Sequence, residues 1–336
     1  MAIQILQEGS FDSTIRNQIN ANFAQLMGIT TGNIYYLDPW HGFDGNTGQY
    51  PTQAFKTLKQ GYAVLRSGYN DTLVLIGSGN TSATARVSST FTWAKDAAHL
   101  IGVSSGTRLS GRARITPNAS DTAFANFFKV TGNGCLFSGI QWFHGFTSGV
   151  AAEICMTVTG SRNKFYNCAL SGMGDTTGAT DTGSRSLLLQ TGGENEFVNC
   201  SIGLDTVVRT GANASVEFKS DTPRNIFENC VFPFQVGAGG APLGVLGAAA
   251  DCMDRFQLFK DCYFINGIDS TATTQTDLCT LPASAGGMLV FRNCTIVGIT
   301  NYGHDATTRG QIWVDGGAPA ADTTISQTGI AVAPAK

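Results

Sequence analysis

Three short stretches of this 336-residue chain carry residue types able to do acid–base chemistry. GDTTGATDTG (174–183) holds two carboxylates, Asp175 and Asp181. A pair of carboxylates is the minimum set for general acid and base work on a glycosidic bond. GLDTVVRTG (203–211) adds Asp205 and Arg209, which a fold could bring to the same loop. YGHDATTRG (302–310) places His304 beside an aspartate and near an arginine. The first and third are set in Gly- and Thr-rich text and are expected to be exposed loops, and no residue of the three is assigned a catalytic role. Thiols and imidazoles raise a second chemistry, metal binding. A zinc site needs paired ligands within reach of one ion. Only Cys252 and Cys262 lie moderately close, and His41, His99, His144 and His304 form no such pair. No metal and no cofactor are expected.

Charge points to no partner. The chain carries 21 Lys and Arg against 24 Asp and Glu, a net of -3. That balance gives no phosphate-seeking field, and no basic–aromatic stripe is present, so nucleic acid is not expected. Charged residues make up 13% of the chain and glycines number 41, so small polar groups do most of the solubilising. No apolar run approaches the ~18–20 residues of a membrane-spanning helix. MAIQILQEGSFDSTIRNQ lacks a basic segment followed by an apolar one, so a secretory signal is not expected. Synthesis in a reducing cytoplasm then favours free thiols for the nine cysteines.

The elements that must position these residues announce themselves by repetition. FYNC, FVNC, FENC, FKDC and FRNC end at Cys168, Cys200, Cys230, Cys262 and Cys294. The steps are 32, 30, 32 and 32 residues, by subtraction of those positions. A weaker copy, Phe137-Ser-Gly-Ile140-Gln-Trp142, precedes them. A period near 30 holding several short strands cannot bury its own apolar face, but stacked copies can. Within one copy Phe165 points in and Tyr166 out. Asn167 turns a corner in the left-handed backbone region, and Cys168 and Leu170 then point in. Stacking predicts ladders of Phe, Asn/Asp and Cys at the ~4.8 Å strand spacing. The Cys row is read as core packing.

The repeats, together with IYYLDPWHGFDGNTGQYPTQAFKTLKQGYAVLRSGYNDTLVLIGSG (34–79), resemble right-handed parallel β-helix proteins of the pectate-lyase-like type. The positions that carry the likeness are Tyr36, Asp38, Pro39, Gly42, Asp44, Gly48, Pro51, Ala54, Phe55, Thr57, Leu58, Asp71 and Thr72. The apolar stripe Ala54, Phe55, Leu58, Tyr62 and Leu65 predicts a helix after Pro51 that plugs the open end of the solenoid. The fold expected is all-β: a single right-handed parallel β-helix with short N-terminal helices capping its first end. Residues 1–33 form a leader, 34–314 the β-helix and 315–336 a tail or arm. The polysaccharide hydrolases of this type carry N-x-D, D-D, G-H-G and R-x-K motifs, and the three that supply their carboxylates and histidine, N-x-D, D-D and G-H-G, are absent. GAGGAPLGVLGAAAD (237–251) reads as a loop buried against another surface, such as a sister subunit.

The leader GSFDSTIRNQINANFAQLMG (9–28) resembles the short leader of bacteriophage structural proteins, through Arg16, Ile19, Asn20, Asn22, Phe23 and Leu26. Its apolar face, Ile15, Ile19, Phe23 and Leu26, suits an assembly contact, either on its own β-helix or on a virion. The resemblances imply a non-enzymatic virion structural protein, most specifically a capsid decoration or cement protein. Its partners would be the major capsid protein or tail components and the sister chains of a homotrimer. No membrane is involved, and the location is the virion. The alternative is a tailspike or tail-fibre adhesin that binds, and in some cases cleaves, host surface polysaccharide. A stand-alone polysaccharide lyase is a third class.

Overall fold

Phe165 and the residues that follow it explain the architecture. The aromatic ring points inward from a three-residue strand, Lys164–Tyr166. Asn167 then takes a φ of 51° and swings the chain through a tight corner. Asn199, Asn229, Asp261 and Asn293 hold the same left-handed corner at φ 55°, 52°, 54° and 51°. A side chain that bonds locally tolerates this region better than most, which is why Asn and Asp recur here. In the first copy the corner residue is Gly139, at φ 67°. After the corner, Cys168 and Leu170 turn inward and are fully buried.

The computed structural model describes residues 32–79, 84–104, 107–109, 111, 113–267, 274–282, 286–303 and 312–314. The leader with Ile15, Ile19, Phe23 and Leu26, the loop with His304 and the tail after Val314 lie outside the described residues. The described strands form a right-handed parallel β-helix of about 7 turns. Three sheets run along it. Sheet A has ten strands, from Ile34–Leu37 to Ile312–Val314. Sheet B has nine, from Ala85–Arg86 to Thr295–Val297, and sheet C eight, from Phe91–Trp93 to Ile299–Gly303. The corner described above joins A to B, longer segments join B to C, and a further turn returns C to A.

Register is in step along sheet A, where Phe165 lies beside Phe137 and Phe197, and Phe259 beside Phe227 and Phe291. The rings stack face to face at 4.8, 4.6, 4.8, 4.6 and 5.1 Å between centroids, from Phe137 through Phe291. A second short stack, Phe232 on Phe264, has a spacing of 4.3 Å. All nine cysteines are buried free thiols. Each ladder thiol points to the carbonyl of the Phe one coil earlier, as Cys200 to Phe165 at 3.3 Å and Cys230 to Phe197 at 3.2 Å. Burial pushes the Cys168 and Cys230 thiols up and favours the neutral form.

A buried amide ladder runs beside the rings. Asn163, Asn195, Asn225 and Gln257 stand two residues before successive ladder phenylalanines and are buried. The side-chain oxygen of each accepts the backbone N–H one coil earlier, from Cys135 (2.8 Å), Asn163 (3.0 Å), Asn195 (3.0 Å) and Asn225 (3.2 Å). These bonds satisfy backbone donors two residues before successive ladder phenylalanines, where the chain runs into sheet A.

Two expectations change at this level. The capping helix, α1, spans Leu58–Ala63 and is shorter than its apolar stripe. Pro51 opens a separate turn at Pro51–Gln53, and Phe55 bridges to Leu37 instead of joining the helix. The segment 237–251 is not a loop throughout: Leu243–Gly247 is a strand of sheet C that pairs with Ala214–Lys219. Its small residues suit a tightly stacked strand, since a Cβ on Gly244 would come within 2.5 Å of Leu278.

Candidate functional site

The aspartates of the opening segment are structural. Asp38 accepts the N–H groups of Trp40 (2.9 Å) and His41 (3.1 Å). Asp44 accepts those of Lys56 (2.9 Å) and Thr57 (2.8 Å), and Thr57 in turn caps α1. Asp71 is bound by Arg66 through two side-chain nitrogens (2.9 and 2.8 Å) and by the N–H of Asn33 (2.7 Å). Burial alone would raise the Asp71 carboxyl, but Arg66 and the backbone donors outweigh it and hold it below the ordinary value. This bracing presents aromatic side chains outward: Trp40 is 49% exposed and Phe43 67%, with Tyr50 also exposed. Trp93 and Trp142, by contrast, are core residues.

Buried ionisable groups gather where sheet B passes to sheet C. The segment expected to be an exposed loop at 174–183 instead contains a one-turn helix, α2, at Thr176–Thr180. Asp175 is its N-cap and is buried. Its Oδ1 accepts the Gly178 N–H and its Oδ2 the Phe146 N–H, both at 2.9 Å. Asp181 Oδ1 accepts from Ala152 (2.8 Å) and Gly183 (2.7 Å). Both carboxylates therefore tie backbone donors of neighbouring segments, and this is why the polar insertion folds inward.

Between them lies Glu153, which sequence reading missed. Its side chain is 0% exposed. Oε1 accepts the Val150 N–H at 3.2 Å, while Oε2 is buried with no hydrogen-bond partner among the described residues. Burial, reinforced by the neighbouring Asp175 and Asp181 carboxylates, pushes Glu153 up to about 8. His144 is buried against Phe127, with ring centroids 5.2 Å apart, and its Nε2 donates to the Phe124 carbonyl at 3.0 Å. Burial pushes it down to about 4, so it is neutral.

Arg209 and Asp205 separate. Asp205 is exposed on the strand Leu204–Arg209, whereas Arg209 is 1% exposed. The guanidinium donates to Asn213 Oδ1 (2.6 Å), Ser215 Oγ (3.0 Å) and the Leu243 carbonyl (3.4 Å). Asn213 Nδ2 reaches the Ala179 carbonyl at 2.8 Å, so Arg209 does lie beside the α2 segment, joined through an amide. Burial pushes Arg209 down to about 9. The buried Arg185 is paired with Glu217. Among the described residues no group of three or more His, Cys, Asp or Glu can hold a metal ion.

Chemically, this junction sets a carboxyl that burial holds toward its neutral form beside a second carboxyl, a pairing that acid–base catalysis can use. A general acid must also reach its substrate. Glu153 lies under α2, where a Cβ on Gly178 would come within 2.4 Å of its Oε2. In this conformation it stores a proton and does not deliver one.

No family model matches the chain, and no curated protein matches it. Solved structures do share its fold. Pectin methylesterase PemA from Erwinia chrysanthemi superposes with a TM-score of 0.53 at 16% identity, over 87% of this chain and 92% of that one. A pectate lyase gives 0.59 at 18% identity over 86% and 69%, and a rhamnogalacturonan lyase 0.54 at 14% over 82% and 71%. Identities this low establish the fold alone. The expectation that the chain is not an enzyme is nevertheless corrected, because the structures that share its architecture are enzymes. The missing motifs could not carry that expectation. On a solenoid, reacting groups come from different coils, so residues adjacent in space are about 30 positions apart in sequence, where a short motif cannot register them.

Proposed function

We propose that the chain is a bacteriophage virion protein of the tailspike kind, whose β-helix engages an extended polysaccharide of the host surface. The observation that carries this reading is the braced opening loop that holds Trp40, Phe43 and Tyr50 outward. Exposed aromatic faces fixed in advance are what a sugar ring stacks on with little ordering cost. The outer faces of the sheets continue along the axis and repeat at ~4.8 Å, so a polymer lying on them meets similar positions coil after coil. The phage-like leader and the fold shared with pectin-acting enzymes support the same reading.

A second reading, a capsid decoration protein packed as a homotrimer among other virion proteins, is favoured by a different face. Tyr263, Ile265 and Val297 form an exposed apolar strip on sheet B, with Ile265 directly beside Val297. Such strips suit protein contacts.

The test is affinity electrophoresis of the full chain in gels that contain host capsular polysaccharide or polygalacturonate, with products assayed for new reducing or unsaturated ends. Retardation that Trp40→Ala and Phe43→Ala reduce supports the first reading. Unretarded migration in every polysaccharide, with the protein mapped to the capsid by cryo-EM, replaces it with the second.

A further inference from the structure

The helix α2 has little apolar hold on the body of the protein. Of its five residues only Gly178 and Ala179 are buried. Its seat therefore depends on polar contacts. At its C-terminal end the Ala179 carbonyl is held by Asn213 (2.8 Å) and by the N–H groups of Thr210 and Gly211 (both 3.2 Å). At its N-terminal end Asp175 ties α2 to Phe146, and Asp181 ties the loop to Ala152. Glu153 sits between these stitches, with its Oε2 against Gly178.

We propose that Glu153 is a proton-operated latch: while its carboxyl is protonated the N-terminal end of α2 stays seated, and loss of the proton lifts that end and uncovers the Glu153–Asp175 carboxyl pair. Among the described residues, the groups that face Glu153 offer no charge to balance its ionised form. From the α2 segment it is faced by Asp175 and Asp181, both acidic, and from the strand Ile154–Val158 that follows it by Cys155. His144, which lies beyond Asp175, is neutral in this site. Of the two buried cations nearby, Arg185 is engaged by Glu217 and by the carbonyls of Thr182 and Ser184, both at 2.7 Å. Arg209 is engaged by Asn213, Ser215 and Leu243. A carboxylate formed here is buried beside further carboxyl groups, where desolvation penalises its charge. The inference does not depend on what the protein binds.

The direction with pH follows from the raised carboxyl. Seating of α2 is strongest below the ordinary Glu value of 4.5 and is lost as pH rises through about 8. His144 works the other way: its contribution is present above its ordinary 6.5 and is lost as pH falls toward about 4. Between 6.5 and 8 Glu153 acts alone of the two.

Hydrogen–deuterium exchange of the full chain over this window is the test, read as protection factors at the Phe146, Ala152 and Gly178 amides. The expected result is a loss of protection of about tenfold per pH unit in the wild type and a flat response in Glu153→Gln, which keeps the shape of the protonated side chain. Carboxyl carbon-13 NMR of wild-type Glu153 decides the matter even if the variant does not fold. A midpoint well above the ordinary range supports the latch. A midpoint near 4.5, or wild-type protection that is flat with pH, or an equal slope in the variant, overturns it.

Discussion

The two sides of the solenoid bury opposite kinds of chemistry. At the corner from sheet A to sheet B, successive coils present the same residue at the same place: Phe, then Asn or Asp, then Cys. The groups buried there are rings and thiols, and neutral amides are buried two residues before Phe165, Phe197, Phe227 and Phe259. At the passage from B to C, Glu153, Asp175, Arg185 and Arg209 are buried, and none is repeated in the neighbouring coils. A repeated residue shares its role with its neighbours, and its presence needs only packing to explain it. An unrepeated buried charge is costly, and its local partners must hold it alone. The regular side therefore tells how the protein stands up, and the irregular side tells where this particular chain departs from being a scaffold.

Substitutions can break or sharpen this contrast. The largest effect is expected from Phe227→Ala in the middle of the ring ladder, at about 3–5 kcal/mol by urea unfolding. Phe227 touches Phe197 and Phe259 on its two faces and Phe218 at its edge. A cost below that of a surface substitution would show that the ladder is not what holds the coils in register. Next comes Cys230→Ser, at about 1–3 kcal/mol, because a hydroxyl needs a stronger partner than the thiol does. Cys230→Ala should cost less than Cys230→Ser, and the reverse order would mean that the hydrogen bond to Phe197 matters more than apolar packing. The smallest effect is expected from Lys164→Met. Its pair with Glu196, at 2.9 Å, is solvated on both sides. Exposed pairs contribute little, so the urea midpoint should not move measurably in moderate salt. A clear loss would make the outer face of sheet A a structural participant as well as a solvated surface.

Legibility in the sequence follows the same divide. The Phe, Asn and Cys ladders could be read because each is one column of a repeat, and the left-handed corner at Asn167 follows from residue type. The amide ladder is a column of the same repeat, since Asn163, Asn195, Asn225 and Gln257 each stand two places before a ladder Phe, but it lies outside the tetrapeptide and changes to Gln at its last position. The shortened α1 was hidden because Asp44, twelve residues before Lys56, decides where the helix starts. Glu153 could not have been found at all. Its meaning comes from Asp175 and Asp181, one coil away on an insertion without counterpart elsewhere, and a glutamate between alanine and isoleucine carries no mark of that company. For the same reason Asp175 looked like loop polarity, although it is a buried cap.

The amide and thiol ladders have a direction as well as a spacing. Each amide oxygen reaches back to the coil before it, and so does each thiol, as in Asn195 to Asn163 and Cys200 to Phe165. The coils of Phe165, Phe197 and Phe227 are thus each joined to their predecessor and successor by the same set of bonds. Length in such a molecule is a counted quantity. Removing one whole period, for instance from Cys200 to just before Cys230, brings together ends already matched to each other, and shortens the rod by about 4.8 Å. A lineage carrying this chain can lengthen or shorten it by unequal exchange between repeats, in whole steps, without redesigning a core. The B-to-C insertions ride on particular coils, so the same exchange moves them along the axis like marks on a ruler.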